Sequence, residues 1–176
     1  MERETYHHGS LRTALLEQAR TLLDEGGPEA VTLRETARRA GVSATATYRH
    51  FRDKDSLLAA VATGGFEQFA ERLAASVEDG RSFAAMGRAY VNFALERPGL
   101  FRLMFSPLIQ AREAHPDMAA ASAKAFDVLQ SSVGAPPSSL SAWALAHGLS
   151  QLMLDGVFPP DERAEILKAI LGPGGA

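Results

Sequence analysis

The chain has no cysteine among its 176 residues, which excludes disulfide bonds and thiolate metal sites. No uninterrupted apolar run approaches the ~20 residues that a helix needs to cross a bilayer, and residues 1–10 lack the apolar core of a secretion signal. β-branched residues are scattered, and no segment alternates convincingly between apolar and polar positions. We therefore expect a soluble, cytoplasmic protein without strands and without contact with a membrane.

Apolar residues instead recur at helical spacing along most of the chain, and 46% of all residues are hydrophobic, which is ample for a core. This pattern predicts an all-α fold of about nine helices. Glycine, proline and capping residues place these helices at residues 11–23, 32–40, 43–51, 53–80, 82–96, 99–105, 108–133, 140–155 and 161–171. Gly64 and Gly65 predict a bend in the fourth helix, and Pro116 predicts an interruption of the seventh.

Residues 31–51, VTLRETARRAGVSATATYRHF, carry the most informative pattern. Thr32 and Glu35 have the spacing of a reciprocal cap, in which the hydroxyl and the carboxylate each accept from a backbone N–H group. Gly41 can adopt the positive φ of a sharp turn, and Ser43 can cap a second helix that ends at Phe51. Two short helices joined by such a turn form a helix-turn-helix, whose second helix can enter the DNA major groove.

The charge of this segment fits that interpretation. Residues 31–55 contain six basic and three acidic side chains, a charge of +3, whereas the whole chain carries −3. Residues from 65 onward carry nine basic and twelve acidic side chains. Local positive charge is what phosphate binding requires, because counterion release supplies much of the affinity for DNA. The nucleic-acid-binding surface is therefore expected at the front of the chain.

Two stretches resemble a known family. YHHGSLRTALLEQARTLLDEGG and VTLRETARRAGVSATATYRHFRDKDSLLAAV, within residues 5–65, resemble the DNA-binding domain of the TetR family of transcriptional regulators. WALAHGL, with Trp143, His147 and Gly148, resembles the Trp-His-Gly signature of one group of C-terminal domains in that family. The resemblance implies a helix-turn-helix DNA-binding domain at residues 1–55 and a helical effector-binding and dimerisation domain at residues 56–176.

The resemblance also implies roles for individual side chains. Thr45 is expected at a base edge, Ala44 and Ala46 can contact thymine methyl groups, and Arg34 and Arg49 can reach a base or a phosphate. The expected ligands of the DNA backbone are Tyr6, Thr32, Ser43, Tyr48, His50 and Lys54.

Three residues of this region are given other roles. Thr47 stands where an apolar residue usually fixes the second helix to the first, so its hydroxyl must find a partner inside the protein. Arg38 and Arg39 fit a solvated helix face better than they fit base contacts.

In the family, the last two helices form a four-helix bundle between two subunits. This implies a homodimer on a palindromic operator, with half-sites about one helical turn, ~34–36 Å, apart. Residues 140–155 are apolar on nearly all faces, as is typical of a helix buried on both sides. A monomer core is the alternative. The candidate interface residues are Leu140, Ala144, His147, Gly148, Gln151, Leu167 and Ile170.

The same C-terminal domain is expected to hold an effector. The candidate ligand-binding residues are Met86, Tyr90, Phe93, Met104, Phe105, Phe126 and Trp143. Methionine and phenylalanine at helical spacing form plain core more often than a ligand cavity, so this set stays open. No cluster of charges is placed to neutralise an ionic ligand, which favours a small and largely apolar effector.

We therefore predict a DNA-binding, ligand-responsive regulator of the TetR type, a repressor rather than an enzyme. One alternative is a small helical enzyme that uses His147 with Ser150 or Asp155. Another is a helix-turn-helix protein that acts only through protein contacts. No nucleophile elbow, metal-ligand cluster or phosphate-binding glycine loop occurs in the sequence, and no metal or cofactor is expected.

Overall fold

The computed structural model describes residues 8–76, 83–107, 114–133 and 138–172. Within these ranges the chain forms helices and no strand, which confirms the predicted all-α fold of about nine helices. The helices are α1 (His8–Ala30), α2 (Leu33–Arg39), α3 (Ala44–Tyr48), α4 (Lys54–Ala75), α5 (Phe83–Glu96), α6 (Pro98–Met104), α7 (Pro116–Val133), α8 (Ser138–Leu154) and α9 (Arg163–Leu171). None of the described helices is both long and apolar enough to cross a membrane.

Helix α1 is interrupted at the glycine pair that was predicted to end it. Gly26 and Gly27 have non-helical backbone angles, and Gly27 has a φ of +70°. A residue with a side chain rarely adopts that φ, so glycine allows the chain to turn here. The segment from Pro28 to Ala30 is a short helical turn that follows this kink.

Helix α4 runs unbroken through Gly64 and Gly65, and the bend expected there stays a prediction. Gly65 serves close packing. A Cβ atom at Gly65 would lie 2.8 Å from the sulfur of Met104 and 2.9 Å from a methyl group of Leu100, both on α6. The bare glycine therefore lets α6 approach α4 closely. The predicted end of this helix near Gly80 lies outside the described residues.

The starts of α7 and α9 also differ from those predicted. Pro116 begins α7 rather than interrupting a longer helix, which is the position where the missing N–H group of proline costs least. Residues 108–113, in the first part of the predicted helix, lie outside the described ranges. Helix α9 begins at Arg163, two residues later than predicted.

Helix α4 lies at the centre of the main core, where α1, α5, α6 and α7 pack around it. Tyr90 of α5 and Phe101 of α6 are the largest fully buried side chains. A smaller apolar cluster, which includes Val91, Met153 and Leu171, joins α5, α8 and α9. Because α4 begins beside the helix-turn-helix and ends inside the main core, one rigid element connects the two parts of the chain.

Candidate nucleic-acid interface and interior cavity

The helix-turn-helix has the predicted caps and turn. The Thr32 hydroxyl accepts a hydrogen bond from the backbone N–H of Glu35 at 3.1 Å, and the Ser43 hydroxyl accepts one from Ala46 at 3.2 Å. Gly41, between the helices, has a φ of +69°. These caps satisfy backbone donors at the starts of α2 and α3, and the glycine permits the sharp reversal.

The second half of the predicted reciprocal cap is absent, because Glu35 is occupied elsewhere. Its carboxylate accepts from Arg38 at 2.6 Å and from Arg39 at 3.2 Å. Arg39 also pairs with Glu25 of α1 at 2.6 Å. Hydrogen bonds from Arg38 and then Arg39 hold the pKa of the Glu35 carboxyl at about 2. Both guanidinium groups are therefore used within the protein.

Helix α3 is shorter than predicted and ends at Tyr48 rather than Phe51. The backbone N–H of Arg49 donates to Ala46, and that of His50 donates to Thr47, in the tighter i to i−3 pattern that closes a helix. Phe51 is buried beyond this turn, with the Arg12 guanidinium 5.4 Å from its ring centre.

Four exposed side chains form what we call the DNA-facing surface: Arg34, Thr45, Tyr48 and Arg49. Tyr48 is 55% exposed, which is high for a large aromatic residue. Within the described part of the chain, the guanidinium groups of Arg34 and Arg49 make no hydrogen bond or ion pair, in contrast to those of Arg38 and Arg39. Their charges are therefore available to a partner. Ala44, Ala46 and His50, which were also predicted to contact DNA, are half-buried.

The N-terminus of α4 supplies the remaining predicted backbone ligand. Lys54 is half-buried, with its ammonium group 3.6 Å from Glu29. Asp53 caps the helix by accepting from the backbone N–H of Ser56 at 2.8 Å. That bond, and then one from Arg52, lowers the pKa of the Asp53 carboxyl. Tyr6 lies outside the described residues.

The hydroxyl of Thr47 does not find the partner that the sequence requires. Thr47 is completely buried, and its Oγ1 atom has no hydrogen-bond partner among the described residues. Thr36 of α2 is in the same situation. Two polar atoms are thus buried without compensation where α2 and α3 pack, which costs stability.

A cavity of about 290 Å³, partly open to solvent and called the interior cavity below, lies between α4, α5, α7 and α8, next to the end of α6. Of the described residues that line it, none is charged, and most are aromatic or small. The lining residues are Phe66, Phe69, Tyr90, Phe105, Ala119, Ser122, Ala123, Ala125, Phe126, Leu129, Leu140 and Trp143.

The structure divides the candidate ligand-binding residues into two groups. Tyr90, Phe105, Phe126 and Trp143 line the cavity. Met86, Phe93 and Met104 are buried in the core and do not line it.

Two polar side chains that line the cavity, Tyr90 and Trp143, form a hydrogen-bonded network with His147, which does not line it. The indole N–H of Trp143 donates to the Tyr90 hydroxyl at 3.0 Å, and that hydroxyl lies 3.0 Å from Nδ1 of His147. Since the indole can only donate, the hydroxyl proton of Tyr90 is free to go to Nδ1, which makes His147 neutral with its proton on Nε2. Burial raises the pKa of Tyr90 and lowers that of His147, in agreement with this arrangement.

The outward side of α8 is apolar. Of the candidate interface residues, Leu140, Ala144 and Gly148 of α8 and Ile170 of α9 are exposed. The other three are half-buried: His147 bonds to Tyr90, Gln151 donates to Asp155, and Leu167 packs on the smaller apolar cluster.

Two exposed leucines belong to the same side of α8 but were not predicted. Leu145 is 41% and Leu152 is 43% exposed, close to the 48% of Leu140. Together with the exposed candidates they give a continuous apolar strip along the helix.

Comparison with known proteins assigns the family. The model described as bacterial regulatory proteins, tetR family, matches residues 15–61, and a tetracyclin repressor-like C-terminal domain model matches residues 83–172. The chain belongs to the TetR family. It is a transcriptional regulator of that family, with a DNA-binding domain at the amino-terminal end followed by a helical C-terminal domain. The grouping by the Trp-His-Gly signature stays a prediction.

Solved structures resemble this TetR-family chain over nearly its whole length. A protein of unknown function from Rhodococcus sp. RHA1 is 34% identical, with 95% of this chain and 94% of that one covered and a TM-score of 0.82. A TetR family transcription regulator from Marinobacter aquaeolei VT8 is 25% identical, with coverages of 93% and 94% and a TM-score of 0.60.

NalD, the secondary repressor of the MexAB-OprM multidrug efflux pump in Pseudomonas aeruginosa, is also 25% identical, with coverages of 92% and 93% and a TM-score of 0.60. A search of curated proteins gives no match.

The structure does not bring His147 into contact with Ser150 or Asp155, as the alternative of a small helical enzyme would require. Ser150 is buried, and its hydroxyl donates to the backbone carbonyl of Ala146 at 2.8 Å. Asp155 accepts from Arg102 at 3.0 Å and from Gln151 at 3.1 Å. His147 bonds to Tyr90 and to neither of them. The TetR-family chain therefore offers no nucleophile and base in contact at these three positions.

Apart from Phe126, the sequence did not indicate the part of the cavity that α4 and α7 provide. Phe66 and Phe69 of α4 both line the cavity, although neither was among the candidate ligand-binding residues. Ala119, Ser122 and Ala123 give α7 a face too small to fill the space opposite these rings. A run of small residues opposite aromatic ones is a signal that could have located the cavity.

Proposed function

We propose that this TetR-family chain is a repressor that binds a palindromic operator as a homodimer and is released by a small, neutral, largely apolar effector. The observation that carries the proposal is the DNA-facing surface, where Thr45 is exposed and where Arg34 and Arg49 are exposed without a side-chain partner among the described residues. The description of NalD as a repressor supports the sign of regulation. The site of action is then the cytoplasm, where the chromosome lies.

At the operator, Thr45 contacts a base edge from the N-terminal half of α3, and Arg34 reaches a neighbouring base or phosphate from the start of α2. Tyr48, Arg49 and Lys54 bind the phosphates on either side. The short N-capped α3 favours this arrangement, because its exposed residues lie within one and a half turns of the helix start.

The exposed apolar strip of α8 is the proposed dimer surface. Leu140, Leu145 and Leu152 lose contact with water when a second α8 packs against them, which supplies the driving force for association. Gly148 has no atom within 4 Å of a constructed Cβ, so the strip has an open notch at its centre. Two helix backbones can approach closely at such a notch.

The proposed effector occupies the interior cavity. Its uncharged, aromatic walls favour a neutral molecule, because a charged one would lose its hydration without gaining a counter-charge. Phe66 and Phe69 of α4 both line the cavity. The capped start of the same helix follows α3, the helix proposed to contact the bases. An effector that prefers one position of α4 shifts the population toward that position and away from the DNA-binding one.

DNA binding is tested by fluorescence anisotropy with the promoter DNA of the adjacent genes, at several salt concentrations. We expect specific binding with a steep salt dependence. Thr45→Val keeps the side-chain shape and is expected to change the preference among operator sequences, whereas Lys54→Gln weakens binding to all sequences alike. If Thr45→Val weakened all sequences equally, Thr45 would not be a base reader. Absence of binding at low salt would refute the proposed function.

Effector binding has a built-in reporter, because the only tryptophan of the chain, Trp143, lines the cavity. We expect naphthalene, a neutral probe, to quench Trp143 fluorescence in a saturable way and to release the operator. The anionic analogue naphthalene-2-sulfonate serves as the control and is expected to bind much more weakly. Equal binding of the two probes would contradict the neutral-effector part of the proposal alone.

A further inference from the structure

A second, larger space lies on the other side of α7. This groove, of about 750 Å³, is bounded by α1, the turn at His50 and Phe51, the first half of α4, and the first half of α7. Its wall is much more polar than that of the interior cavity. None of its described lining residues also lines the interior cavity. It joins the amino-terminal helices to the C-terminal domain, so a molecule bound there contacts both.

Arg20 of α1 is the most unusual side chain of this groove. Its Nε atom is shielded from solvent, and its guanidinium group makes no hydrogen bond or ion pair with any residue that the structure describes. The group lies across Gly64 of α4, where a Cβ atom would collide with it. A guanidinium that is partly removed from water without a counter-charge is costly, and a bound anion removes that cost.

The other charges of the groove are also unpaired. Arg12 and Lys124 line it together with Arg20, and the acidic residues at its wall are Glu67 and Asp117. None of these five side chains forms an ion pair within the described ranges. Three cations therefore face two carboxylates, and the imidazoles of His50 and His115 add further hydrogen-bonding groups. Among the described residues that line it, the groove has one more positive than negative side chain, and none of these charges is used in an ion pair there.

We propose that this groove is a binding site for a small anionic metabolite that carries a phosphate or carboxylate group. Arg20 binds the anionic group through its planar fork, which matches the oxygens of phosphate and carboxylate, and Arg12 and Lys124 supply further charge. The volume lies within the range of small-molecule sites and exceeds what a bare phosphate ion fills.

The site has a consequence for the interior cavity, because both spaces share two helices. On α7, Asp117 and Lys124 line the groove, whereas Ala119 and Ala123 line the cavity. On α4, Gly64 adjoins the groove two residues before Phe66 of the cavity. An anion that holds α7 against α1 therefore changes the affinity for a cavity ligand, and by linkage the cavity ligand changes the affinity for the anion.

The test is thermal unfolding of the full chain at constant ionic strength and pH, with sodium phosphate or citrate replacing sodium chloride. A ligand that binds only the folded state raises the melting temperature in a concentration-dependent way. We expect such a rise for the wild type, and an affinity about tenfold or more lower in Arg20→Gln, which loses a charged hydrogen-bond donor. Arg97→Gln removes an equal charge from an exposed site outside the groove and is expected to behave as the wild type. A wild type that responds alike to phosphate, citrate and chloride overturns the proposal.

A second variant separates binding from folding. Glu67→Gln removes a negative charge from the groove wall and is expected to tighten phosphate binding severalfold, a gain that a damaged fold would not produce. Lys124→Gln is expected to weaken phosphate binding in the same assay. If Arg20→Gln does not fold, Glu67→Gln and Lys124→Gln still test whether the groove binds the anion. Unchanged affinity in both overturns the site.

The origin of the anion is tested in parallel on operator DNA without added phosphate. We expect Arg20→Gln to leave DNA affinity unchanged, because the groove is assigned to a free metabolite. A loss of DNA affinity in Arg20→Gln, together with a salt slope reduced by about one, would assign Arg20 to the DNA backbone and overturn the metabolite site. Phosphate binding in the unfolding assay does not depend on operator recognition, so this inference and the proposed function can fail separately.

Discussion

At the DNA-facing surface, Arg34, Arg49 and the Tyr48 hydroxyl have no partner within the described part of the chain. Around the interior cavity, in contrast, the polar groups of Tyr90, Trp143 and His147 bond to one another. The polar groups of the first region remain available to a partner, whereas those of the second region satisfy one another. This difference suits a surface that must bind a charged polymer and a cavity that is proposed to bind an apolar molecule.

The same contrast distinguishes the arginines of the helix-turn-helix, of which some form ion pairs within the protein and others do not. Arg38 and Arg39 neutralise Glu35 and Glu25, which fixes α2 against α1. Arg34, one turn earlier, is left free. A positive charge contributes more to DNA binding where the protein has not already compensated it. The segment charge of +3 therefore overstates the charge available to phosphates.

The largest expected effect comes from removing both free cations of the DNA-facing surface. In the double variant Arg34→Ala and Arg49→Ala, we expect operator affinity to fall roughly 100-fold, because each contact contributes about 1–3 kcal/mol. Thermal stability is expected to stay unchanged, since neither side chain has a partner in the ranges that the structure describes. The measurement is anisotropy with operator DNA beside a melting curve. Arg38→Ala is the control, and an equal loss of DNA affinity there would remove the distinction between free and compensated arginines.

The same chemical change in both regions sharpens the comparison. Tyr90→Phe leaves the indole N–H of Trp143 and Nδ1 of His147 without their shared partner, and we expect a loss of about 1–3 kcal/mol in the free energy of unfolding. Tyr48→Phe at the exposed surface is expected to leave that free energy unchanged and to weaken DNA binding. Urea unfolding measures both. Equal stability of the two variants would show that the Tyr90 hydroxyl contributes nothing to the fold.

The helix-turn-helix was predictable because its determinants are contiguous. The caps at Thr32 and Ser43 and the turn at Gly41 depend on residues no more than three positions away, so local sequence specifies them. The end of α3 was placed too late, since the apolar Phe51 marks a buried position rather than the last helical residue. Tertiary packing decided that boundary.

The cavity was less predictable, because four helices distant in sequence build it. Helical spacing shows that Met86, Phe93 and Phe126 each lie on an apolar face, but it does not show whether the opposite wall fills the space. The small residues of α7, such as Ala119 and Ala123, leave that space open beside Phe126. A prediction of the cavity therefore requires knowledge of which faces meet.

A smaller effect is expected where a buried hydroxyl of the amino-terminal region lacks a partner. Thr47→Val replaces the hydroxyl by a methyl group of similar size, and we expect a gain of about 1 kcal/mol in the free energy of unfolding. For a chain of this length that corresponds to a melting temperature roughly 2–4 °C higher. Thr45→Val on the exposed side of α3 is the matched control and is expected to change stability by less than about 0.5 kcal/mol. A destabilised Thr47→Val variant would mean that the hydroxyl has a partner after all.

The smallest effect is a pH dependence of the free energy of unfolding, which originates at His147 beside the cavity. His147 faces the uncharged rings of Tyr90, Phe101, Phe105 and Trp143, and burial lowers its pKa below the ordinary value of 6.5.

The unfolded chain therefore binds a proton at this residue before the folded one does, so the free energy of unfolding decreases as the pH falls below about 6.5 toward the folded-state pKa. His147→Gln removes this contribution while its amide oxygen can still accept from Tyr90. We expect urea unfolding at pH 7.5 and pH 5.5 to differ less in His147→Gln than in the wild type. An equal difference in both proteins would contradict the stabilising role of the neutral His147 beside the cavity. The hydrogen-bonded network there would then consist of Trp143 and Tyr90 alone.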